Sequence, residues 1–151
     1  MSTVVLLNIN METTYYSVFY DVVKDTQSTT GTDLPHDVEA YVVGLLSSFV
    51  KRNDIPPESA IAEMFLKIKT TNQAKQLGDT CLFVSGVFPN FKKRAGINRR
   101  YFQDIGATSY EIARPINTEL FPTISQHFVF LSEFIETAVD SSTHIQQHFK
   151  Y

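Results

Sequence analysis

Apolar positions along most of the chain recur at spacings of three and four, the period of a helix that buries one face. The clearest run is Val38, Tyr41, Val42, Leu45 and Phe49. Asp33 suits a cap before it, Pro35 a first turn, and Asp37 and Glu39 the positive end of a helix dipole. Lys51-Arg52-Asn53 reads as its C-terminal end. A second helix is predicted from Pro56-Pro57-Glu58 through Ile61, Met64, Phe65 and Ile68. A third runs from about Asn72 to Phe88, with Leu77, Cys81, Val84 and Phe88 in one stripe, and stops at Pro89. A fourth starts near Asn98, carries Tyr101, Ile105, Tyr110 and Ile112, and ends at Ala113, ahead of Pro115. A last helix covers about 118–139.

The N-terminal piece reads two ways. Val4–Ile9 fits a short strand, so residues 1–12 form an extended or strand-like arm on that reading. Tyr15, Val18, Phe19, Val22 and Val23 recur at helical spacing and predict a helix over 13–26, with a hairpin as the competing reading. The polar run Lys24–Asp33 reads as a connecting loop. Together these elements predict an all-α fold, a compact bundle of five to six helices forming one domain over 1–151.

Composition narrows the function classes. Hydrophobic residues at 43% and charged residues at 19% are ordinary globular values, and 12 Phe with 7 Tyr let few residues fill a core. The net charge of −3 argues against a chain built mainly to bind nucleic acid or an anionic membrane. Cys81 is the only cysteine, which excludes an intrachain disulfide and a thiolate zinc cluster and fits a reducing compartment. Residues Met1–Asn8 lack the basic start of a signal peptide. No apolar stretch nears the roughly 20 residues of a membrane span. A cytoplasmic protein without membrane or cofactor is the expectation.

At residues 77–89 a specific pattern appears: Leu77-Gly78-Asp79-Thr80-Cys81-Leu82-Phe83-Val84-Ser85-Gly86-Val87-Phe88-Pro89. Tyr101, Gly106 and Tyr110 follow, and Glu39–Phe49 stands upstream. In these segments the chain resembles a family of uncharacterised bacterial proteins, with an LGDxxLFxSGxFP core and a YxxxxGxxxY helix after it. The likeness covers roughly residues 13–113. It implies a helical fold, including the first helix, and no activity. Residues 1–12 and the helix after Pro115 lie outside it.

An interior helical glycine costs about 1 kcal/mol relative to alanine, so Gly78 and Gly86 on one helix and Gly106 on another predict two helices crossing closely. A backbone-lined ligand or enzyme site at the Gly78/Ser85/Gly106 crossing is the alternative, with Asp79, Ser85, Arg100, Tyr101 and Tyr110 as its side chains. Asp79 stands four residues after Lys75 and, if half-buried, needs a further partner such as Arg100 or Tyr110. Ser85 lacks the Gly-x-Ser-x-Gly setting of a nucleophile elbow. Cys81 falls on the apolar stripe and reads as core. His144 and His148 share a helix face if the last helix reaches them, but no metalloprotease glutamate accompanies them, and no metal is expected.

Two surface features remain. Lys92, Lys93, Arg94, Arg99 and Arg100 hold five of the 13 basic residues in one acid-free stretch, a solvated loop or a grip for phosphate and nucleic acid. The apolar residues of 118–139 span about 180° of a helical wheel, wider than the roughly 100° stripe of a one-sided helix. Either that helix is covered on two sides, or Phe130 and Phe134 are exposed and bind something. The leading expectation is a non-enzymatic interaction or regulatory domain that docks a protein partner, a homodimer through 118–139 being the simplest case. The ligand or enzyme site comes second and nucleic-acid binding third.

Overall fold

A computed structural model describes residues 3–50, 56–87 and 98–141, with side chains described from residue 15 onward. Its α-helices are α1 (Thr3–Thr30), α2 (His36–Phe49), α3 (Glu58–Leu66), α4 (Thr71–Val87), α5 (Arg99–Ile112), α6 (Leu120–Gln126) and α7 (Phe128–Asp140). A single 3₁₀ turn, Arg114–Ile116, follows α5. No strand occurs among the described residues, so the fold is all-α. The seven α-helices among the described residues exceed the expected five or six because the last predicted helix is two, broken at His127 (φ −105°, ψ 23°). Periodicity did not reveal the break, because Ile124 and Phe128 keep a four-residue spacing across it and both are buried.

The chain divides into two compact units, Met1–Arg52 and Asn53–Tyr151. In the first, α1 is one continuous helix that contains the predicted helix over 13–26 and takes the place of the expected arm, the competing hairpin and most of the expected loop. Its β-branched and aromatic residues cost a helix well under 1 kcal/mol each, too little to interrupt it. The polar stretch stays helical to Thr30 because its side chains are satisfied without leaving the helix. Thr26 donates its hydroxyl to the Val22 carbonyl at 2.8 Å and Thr30 donates to that of Thr26 at 2.6 Å. Gly31 (φ 67°) then stops the helix, and the Thr32 N–H closes back on the Gln27 carbonyl at 2.9 Å.

Gln27 also joins α1 to α2. Its buried amide donates to Glu39 Oε2 at 2.6 Å and accepts the Leu34 N–H at 2.8 Å. Lys24 Nζ lies 3.0 Å from the same Glu39 oxygen. The hydrogen bond from Gln27 is the largest influence on Glu39 and, with help from Lys24, holds its carboxyl below the usual range although burial pushes the other way. A carboxylate whose pKa is depressed on folding contributes stability above its unfolded pKa, and that contribution disappears as pH falls through the folded pKa. The stability advantage of wild type over Glu39→Gln should therefore shrink steadily from about pH 6 to about pH 3. Urea midpoints measured across that range check it, and a constant difference would contradict it. Asp33 makes no cap: α2 starts after Pro35, without a side-chain cap bond.

The second unit centres on α4, against which α5 and α7 pack. α5 and α7 run antiparallel, with Arg99 beside Glu136 (2.7 Å), Gln103 bonded to Ser132 (2.8 Å) and Gly106 beneath Phe128. α5 starts beside Asn98, as predicted, and Asn98 caps it, its side chain accepting from the N–H groups of Arg100 and Tyr101. α6 is tied on by Ser125, which donates to the Ala107 carbonyl at 2.6 Å. α3 contributes less: Ile61 is buried, whereas Met64 is exposed and Leu66 is 84% exposed. The predicted end of α4 at Phe88-Pro89 and the end of α2 at Lys51-Arg52-Asn53 lie outside the described residues.

Candidate functional site

The crossing predicted from the small residues exists. A Cβ on Gly78 would sit 2.9 Å from the Tyr110 ring, and one on Gly86 2.7 Å from Ile135 Cγ2. One on Gly106 would meet the Phe128 ring and lie 2.7 Å from Cys81 Cβ. Hydrogen atoms are what allow α5 and α7 to approach α4 this closely. The space is filled by rings: Tyr110 stacks on Phe121, with centroids 5.8 Å apart and planes 9° apart, and lies 5.9 Å from Phe128. All three rings are buried.

Asp79 and Tyr110 come together at the edge of this cluster. Tyr110 donates its hydroxyl to Asp79 Oδ1 at 2.7 Å, and Lys75 Nζ lies 2.9 Å from Oδ2. Of the partners weighed for Asp79, Tyr110 is the one supplied, along with the i, i+4 lysine. The arrangement gives a buried phenol its acceptor and a half-buried carboxylate its counter-charge. Each oxygen of the carboxylate accepts from one donor, so packing and charge pairing account for Asp79 at this position.

The other residues of the alternative site lie elsewhere. Ser85 is buried and donates back to the Leu82 carbonyl of its own helix at 3.3 Å. Arg100 is exposed and Tyr101 half-buried against Phe102, both on the first turn of α5. That turn is about 15 Å along the helix axis from Tyr110. Asp79 and Tyr110 converge, but Ser85, Arg100 and Tyr101 do not join them. Burial pushes the Cys81 thiol up to about 12, so it stays protonated and unreactive at neutral pH.

Of the basic patch, Lys92, Lys93 and Arg94 lie outside the described residues, as do His144 and His148. Arg99 is bound to Glu136, and its Nε and Nη2 are buried without a hydrogen-bond partner among the described residues. Among the described residues no cluster of three His, Cys, Asp or Glu is placed to hold a metal ion. No helix among them is long and apolar enough to cross a membrane.

The two phenylalanines of the predicted contact flank part company. Phe134 is 5% exposed and belongs to the core, whereas Phe130 is 47% exposed beside Val129 at 50%. Sequence reading missed two buried polar joints, Gln27–Glu39 and Gln103–Ser132. Each partner is polar and ordinary in its own helix, and only the tertiary pairing sets it apart. Comparison with protein families, with curated proteins and with solved structures finds no match for this chain.

Proposed function

We propose that this chain is a non-enzymatic helical interaction domain whose outer α7 surface, at Val129 and Phe130, receives a protein partner. The observation that carries the reading is Phe130, 47% exposed beside Val129 on a helix that buries its opposite face. Leaving a phenylalanine fully in water forfeits about 1.5–3 kcal/mol of burial energy, so a half-covered ring holds a useful fraction of that for a contact. The pair of Asp79 and Tyr110 supports the same reading, because their mutual hydrogen bond and the nearby Lys75 account for both residues structurally. A second copy of the chain is the simplest partner, and a cytoplasmic setting in the bacterial family named above belongs to the same proposal.

Sedimentation tests the self-association form. Wild type at about 100 μM should show concentration-dependent association, and Phe130→Glu should sediment as a folded monomer. A strictly monomeric wild type at that concentration would remove the homodimer. Loss of helical circular dichroism in Phe130→Glu would instead make this ring part of the core and count against the proposal.

A further inference from the structure

We draw no further inference here: the strongest candidate, the Nε and Nη2 edge of Arg99 at the N-terminus of α5, which has no acceptor among the described residues, is closed off from solvent and belongs to a side chain already paired with Glu136, and nothing in the structure shows what it would hold.

Discussion

Gly106→Ala should destabilise the protein by about 2 kcal/mol, even though alanine is the better helix former by about 1 kcal/mol. The two effects oppose each other, and the surroundings decide the sign. At Gly106 the added methyl meets the buried ring of Phe128 on one side and Cys81 Cβ at 2.7 Å on the other. Both neighbours are themselves fully packed, so neither can yield without displacing α7 or α4, and overpacking of this kind costs about 1–3 kcal/mol. Gly106→Leu should be worse. Gly44, in the middle of α2, has nothing within 4 Å of the position its Cβ would take. There only the helix propensity remains, and Gly44→Ala should stabilise by up to about 1 kcal/mol. Denaturant midpoints of the two alanine variants should therefore move in opposite directions. An upward shift in both would mean that the α4–α5 crossing is looser than the distances imply, and a downward shift in both would contradict the open surroundings of Gly44.

Tyr110→Ala should cost about 3–5 kcal/mol, the range for emptying a buried aromatic site. The ring lies against Gly78, stacks on Phe121 and borders Phe128, so three elements lose contacts together. Tyr110→Phe separates packing from polarity. It keeps the ring and removes only the donor to Asp79, which retains Lys75. The expected loss is about 1–2 kcal/mol. In an Asp79→Asn background the same Tyr110→Phe change should cost less, because the charged acceptor has gone. A double-mutant cycle with no coupling between positions 79 and 110 would contradict the bond.

How much of this was legible in the residues differs from element to element. The crossing was, because a glycine inside a helix needs a reason and Gly78, Gly86 and Gly106 all have the same one. The Asp79–Tyr110 bond was also within reach, since a carboxylate at an apolar helix position requires a donor. The extent of α1 was not. Threonine and glutamine hydroxyls and amides satisfied inside the structure look the same in sequence as those of a solvated loop, and Gln27 is identified only by its bonds to Glu39 and Leu34. The break at His127 left the four-residue spacing of Ile124 and Phe128 intact and so left no trace in the period. On α7, Phe130 and Phe134 stand only about 40° apart on the wheel. A hydrophobic pattern has too coarse an angle to say which of them the core covers. It covers Phe134.

The docking role of Phe130 is tested most directly by placing a photoreactive benzoylphenylalanine at position 130, in cells of the native host, with the same residue at the highly exposed Leu66 as control. Irradiation should yield one discrete adduct from position 130, absent from position 66 and lost when Val129→Glu is added. A mass of twice the chain would identify the partner as a second copy. No adduct from position 130, or the same adduct from position 66, would contradict the proposal.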